Sequence, residues 1–218
     1  MGVPPFDPSV VQAVLFDVYG TLLEIEPRRP YRQLFEAVQM NVPTLTREQF
    51  ARDVMTSPLT LREAAAHYGV TPALPLLEAL ESQLQAELRS IRLFSEVLST
   101  LHILRGHGYV VGVCSNLAGP YVAPARNALI DKVDVMLWSC EVGRIKPDAD
   151  MFMEAAARTK AAPKHCLMVG DNLLVDVEGA RSAGMQGLHL QRGSVGGLAS
   201  LEHLLDVLPV QPGRPSCL

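Results

Sequence analysis

Five short apolar runs, at residues 13–16, 109–114, 133–138, 166–169 and 187–190, constrain the fold of this chain more than any other feature. Most of them lack the apolar–polar alternation of a half-exposed strand. That pattern belongs to strands covered on both faces. Helical spacing fills the intervals between them. It appears in Val97, Leu98, Leu101 and Leu104, in Val122, Ala125 and Leu129, and in Phe152, Ala155 and Ala156. A last set, Val177, Ala180 and Ala183, ends at Gly184, a fitting helix C-terminus. Strand and helix alternating in this way predict a doubly wound parallel α/β sheet.

Residues 24–94 break the alternation and read as helices only. Tyr31, Leu34, Phe35 and Val38 fall at i, i+3, i+4 and i+7. Thr46 and Gln49 form a capping-box pattern before Phe50 and Val54. Thr71-Pro72 reads as an N-cap and first helical position ahead of a stripe of Leu77, Leu80, Leu84 and Leu88. The expected organisation is therefore an α/β core of residues 1–23 and 95–218, with an all-helical cap of residues 24–94 over the carboxyl edge of its sheet.

Four of these strands are each followed by a polar cluster. Asp17, Gly20 and Thr21 follow the first run, and Ser115-Asn116 the second. Lys146 lies in Gly143-Arg144-Ile145-Lys146-Pro147-Asp148, and Gly170-Asp171 with Asp176 follows the fourth run. In a parallel sheet these strand ends face one crevice. Carboxylates gathered there repel one another unless a cation sits among them, and a hard divalent ion with oxygen ligands, Mg²⁺, answers that need. Lys146 carries a charge that neutralises a phosphate and a neighbouring carboxylate. Taken singly, Ser115-Asn116 also reads as a cap for a helix starting near Pro120. Asp148 likewise reads as a helix cap, and Asp176 as a first-turn acid complementing a helix dipole.

The ordered set Asp17, Ser115, Lys146, Asp171 and Asp176 resembles the haloacid dehalogenase superfamily, and the resemblance spans essentially the whole chain. It implies a hydrolase in which Asp17 is the nucleophile. Asp17, the Tyr19 carbonyl, Asp171 and Asp176 would serve the Mg²⁺ site. Gly20, Thr21, Ser115 and Asn116 would bind the transferred group, and Lys146 would fix Asp17 and the phosphate. Tyr19 departs from the phosphatase pattern, where a second Asp acts as general acid. Its motif, Asp17-Val18-Tyr19-Gly20-Thr21-Leu22, is that of the 2-haloacid dehalogenases, whose halide leaving group needs no proton. Gly170-Asp171-Asn172 is instead the metal-binding form of the phosphatases. The resemblance implies a phosphatase of a small phosphorylated metabolite. The alternatives are a metal-independent dehalogenase and a weakly active phospho-ligand-binding homologue.

Composition excludes other classes. Hydrophobic residues make up 48% of the 218 and charged residues 19%, enough for a real core. A net charge of −4 with no basic run argues against nucleic acid. No stretch approaches a membrane span and no leader is read at the N-terminus, so a cytoplasmic monomer or homodimer is expected. Cys114, Cys140, Cys166 and Cys217 form no C-x-x-C pair and read as reduced thiols.

Overall fold

Ala13–Phe16 form β1, the central strand of the computed structural model, which describes residues 6–194 and 198–211. All four residues are fully buried, as a continuous apolar run demands. A tight turn follows in which the Val18 carbonyl accepts the N–H groups of Thr21, Leu22 and Leu23. Leu23–Glu24 (β2) then leads into a helical block of α1 (Pro30–Gln39), α2 (Arg47–Thr56), α3 (Leu61–His67) and α4 (Leu74–Arg89). The chain returns through β3 (Arg92–Leu93), which pairs antiparallel with β2.

This ribbon corrects the expectation that residues 24–94 hold helices alone. Two-residue strands are too short to show a period, and here the Glu24–Arg92 ion pair at 2.7 Å and the Leu23–Leu93 register hold them. The helical block has its own apolar centre, including Leu34, Val38, Phe50, Leu61, Leu77 and Leu80. Thr46 caps α2 by accepting from the Gln49 N–H, but the reciprocal capping box lies at Thr60 and Glu63 of α3. Thr71-Pro72 does not start α4, whose N-cap is Ala73 and whose early proline is Pro75.

Beyond the ribbon, α5 (Val97–Gly106), β4 (Val110–Ser115), α6 (Val122–Leu129), β5 (Val135–Trp138) and the short α7 (Ser139–Val142) follow. Then come α8 (Ala149–Thr159), β6 (Cys166–Gly170), a π-helical turn at Leu173–Glu178, α9 (Gly179–Ser182), β7 (Gln186–His189) and α10 (His203–Val207). The strand order is β5-β4-β1-β6-β7, with every pair parallel. The predicted doubly wound α/β sheet is thus present. Val14 and Phe16 pack toward α5 and α6, while Ala13 and Leu15 pack toward α8 with Met151 and Phe152. Both faces of β1 are therefore covered, which is why its sequence does not alternate. Cys114 and Cys166 sit in the second of these layers as small apolar residues. Cys217 lies outside the described residues.

The helical block lies against the carboxyl edge of the sheet. Arg52 of α2 makes a double hydrogen bond to Asp148 (2.8 and 3.2 Å), and a Cβ on Gly119 would meet the Pro58 backbone at 2.8 Å. Asp148 occupies the N-cap position of α8 but caps nothing, because its carboxylate is spent on Arg52. No helix of the described residues is long and apolar enough to cross a membrane.

Candidate active site

Strand order reverses at β1, with β4 on one side and β6 on the other, and such switch points open a crevice at the carboxyl ends of the strands. Asp17 stands there directly after β1. Its Oδ1 accepts from Ser115 Oγ at 2.9 Å and from Lys146 Nζ at 2.8 Å. Lys146 also donates to Asp176 Oδ1 at 2.6 Å. Asp176 Oδ2 accepts the Asn172 N–H at 3.0 Å. Asp171 stands at the exposed mouth, where the Thr21 hydroxyl donates to it at 3.4 Å. Carboxylate oxygens of Asp17, Asp171 and Asp176 all lie within 4.8 Å of one another.

The electrostatics follow from this crowding. Burial works against the Lys146 ammonium, but the Asp17 and Asp176 carboxylates outweigh it and raise its pKa. Asp171 is raised by lost hydration, then by the charges of Asp17 and Asp176. Asp176 is raised by burial, with Lys146 pulling the other way. Among the described residues Asp171 has no ion-pair partner, so one ammonium faces three carboxylates. An all-oxygen, over-negative cluster fits a small hard cation. Cys114, next to Ser115, is no competing nucleophile, since burial pushes its thiol up to about 12.

Two of the residues expected to bind the transferred group make bonds within the protein. The Asn116 side chain does not reach into the crevice. Its Nδ2 donates to the Lys146 carbonyl and its Oδ1 accepts the Lys146 N–H, so it clamps the loop that presents the lysine. The Gly20 N–H is likewise spent, on the Leu23 carbonyl. Gly20 matters for what it lacks. Its φ is +95°, and a Cβ there would lie 2.4 Å from Asp171 Oδ2. We expect Gly20→Ala to cost roughly 1–3 kcal/mol of stability from backbone strain. It should also displace Asp171; a thermal melt and an activity assay with varied Mg²⁺ check both effects.

Tyr19 turns away from Asp17. Its hydroxyl donates to the Tyr121 carbonyl at 2.9 Å, and the two rings meet edge to face. Burial, then the nearby Glu87, raises its pKa. A phenol so placed holds its proton and does not deliver it to the crevice.

Sequence reasoning missed three supports. Arg192 donates to the Thr21 carbonyl at 2.6 Å, pairs with Glu96 and lies 3.7 Å over the Phe94 ring, so it braces the turn after β1 from far along the chain. Glu87 of α4 is 5% exposed and binds the Tyr121 hydroxyl. Asp176 sits in a π-turn where the apolar spacing predicts ordinary helix, and such turns recur at functional sites. Spacing alone carried no signal for any of them.

Comparison with known proteins agrees with this architecture. The chain is 29% identical over 202 residues to a glyceraldehyde 3-phosphate phosphatase of Methanopyrus kandleri, covering 84% of this chain and 85% of that one. A dehalogenase solved with an intermediate has a similar fold, with a TM-score of 0.64 at 20% identity over 92% of this chain and 98% of that one. So does a haloacid dehalogenase-family enzyme of Bacteroides thetaiotaomicron, solved with magnesium and inorganic phosphate. Its TM-score is 0.60 at 16% identity over 84% and 96% of the two chains. The family model for haloacid dehalogenase-like hydrolases matches residues 11–184. Because that match runs from just before β1 to the glycine after α9, and so takes in every strand-end cluster, this chain belongs to the haloacid dehalogenase-like hydrolases.

Proposed function

We propose that this hydrolase is a Mg²⁺-dependent phosphatase of a small phosphorylated metabolite, with Asp17 as nucleophile. The observation that carries this reading is the meeting of three carboxylates around the single ammonium of Lys146. Asp17, the Tyr19 carbonyl, Asp171 and Asp176 would hold the ion or its waters. When bound, Mg²⁺ would offset the negative charge of the carboxylates and of the phosphoryl oxygens. Ser115 and Lys146 fix the Asp17 carboxylate in rotation, which favours attack from one defined position. Asp17 bonds to phosphorus as the bond to the leaving oxygen breaks, and water then displaces Asp17 from the phosphoryl group. Ser115, Thr21 and Lys146 surround the transferred group; Gly20 leaves the room for Asp171. The relative from Methanopyrus kandleri, a phosphatase by name, supports the same reading.

The leaving oxygen has no carboxylic acid at position 19 to protonate it. General acid catalysis is worth roughly 10²–10⁴-fold, so Tyr19→Asp is expected to raise turnover of alkyl phosphates by about tenfold or more. The tyrosine favours a second reading, a 2-haloacid dehalogenase, whose leaving halide needs no proton. Phosphate release from a panel of esters and halide release from 2-haloacids, each with Mg²⁺ and with EDTA, separates the two. Halide release that persists in EDTA, with no phosphate release, would overturn the phosphatase.

A further inference from the structure

A cavity of about 250 Å³ opens between the helical block and the ends of β1 and β4. It lies beside the reacting centre, being lined by Tyr19, two residues after Asp17, and by Asn116, next to Ser115. Its walls carry Tyr31, Val54 and Met55 from the helical block and Leu117 and Tyr121 from the core. An apolar cavity of ~150 Å³ accommodates benzene, so a ring-sized body has room here.

Apart from the exposed Arg29 side chain, the polar side chains of this wall are already bonded within the protein. The Tyr19 hydroxyl donates to the Tyr121 carbonyl at 2.9 Å, and the Tyr31 hydroxyl to the Leu59 carbonyl at 2.7 Å. The Tyr121 hydroxyl donates to Glu87 Oε2 at 2.7 Å, while Glu87 Oε1 accepts the Arg28 N–H at 3.0 Å. Both ends of the Asn116 amide are bound to the Lys146 backbone. Three phenol protons and one side-chain amide are therefore spent before any ligand arrives. A hydroxyl-rich leaving group would surrender its water on entering and find few donors in return, whereas an apolar one loses nothing.

We propose that the alcohol released by this enzyme is apolar and ring-sized, so that the substrate is a phosphate monoester of an aromatic or branched aliphatic alcohol and not of a sugar or polyol. The assignment rests on the phosphatase reading. It makes the three tyrosines a packing surface for the leaving group, with Glu87 as the anchor that keeps Tyr121 in the wall.

The test pairs binding with turnover, using the full chain loaded with Mg²⁺. Calorimetry compares benzylphosphonate with 2,3-dihydroxypropylphosphonate. Phosphate release compares benzyl phosphate with glycerol 3-phosphate, both esters of primary alcohols, so that the chemical step is matched. The benzyl compound should bind tighter, and its ester should show a higher kcat/KM, by about tenfold or more in each case. Met55→Asn should shrink that preference to about threefold or less. Equal or weaker binding of benzylphosphonate, binding of neither phosphonate, or equal kcat/KM for the two esters overturns the assignment. Preferential binding of benzylphosphonate with no phosphate released from either ester upholds the apolar pocket and overturns the phosphatase reading instead.

Discussion

Replacing Asp17 with Asn is expected to cut phosphate release by ~10³-fold or more, the scale seen when a covalent nucleophile is removed. The amide keeps the shape of the carboxylate and can still accept from Ser115 and Lys146, so its position should hold. What it loses is the charged oxygen that bonds to phosphorus. The fold should not suffer. Asp17 is one of the charges that raise Asp171 and Asp176, and removing it relieves repulsion. The thermal midpoint should therefore stay within a few degrees of wild type or rise, about 2–4 °C per kcal/mol for a chain of this size. Phosphate release retained at more than about a tenth of wild type would exclude the covalent mechanism.

Lys146→Met should damage stability and activity together. Methionine approximates the aliphatic stem, but Asp17 and Asp176 then face each other without a cation, and Asp176 is 2% exposed. Breaking a buried pair by removing one partner costs about 3–5 kcal/mol, a fall in midpoint of roughly 6–20 °C. The pH dependence has a definite sign. Asp176, already raised by burial, loses the Lys146 charge that pulls its pKa down. Its stabilising protonation is present below the ordinary carboxylate range and is lost as pH rises through the raised value. The deficit should therefore be smaller at acidic than at neutral pH. Adding Asp176→Asn should restore part of the midpoint without restoring turnover. Melts of the single and double variants at two pH values measure both effects, and an unchanged midpoint for Lys146→Met would contradict the geometry.

Much of this was legible because each reactive group sits where a periodic pattern ends. Asp17, Ser115 and Asp171 follow runs whose lack of alternation marks them as fully covered strands, and strand ends converge by topology. Helices α1 and α4 were legible from their 3.6-residue stripes and α2 from its cap, whereas α3 is too short to show a stripe. What escaped depended on bonds between distant side chains. Asn116 looks like a cap in the sequence, but it clamps Lys146 thirty residues on. Asp148 looks like a cap and is claimed by Arg52. Arg192 has no motif at all, yet it holds the Thr21 carbonyl. Tyr19 was legible as a missing acid, whereas the direction of its hydroxyl needed Tyr121 in place.

The small β2–β3 ribbon bears on how the chain finds its fold. Central strand β1 must pair with β4, joining Ala13 to Val110, and closing a flexible loop of roughly a hundred residues is entropically costly and slow. The helices between them pack on one another, α1 against α3 and α4, around an apolar centre of their own. Once they have packed, Leu23 and Leu93 lie side by side, and the long excursion shrinks to a short tether at each end. The block that walls the cavity thus also shortens the loop that the pairing of β1 with β4 must close.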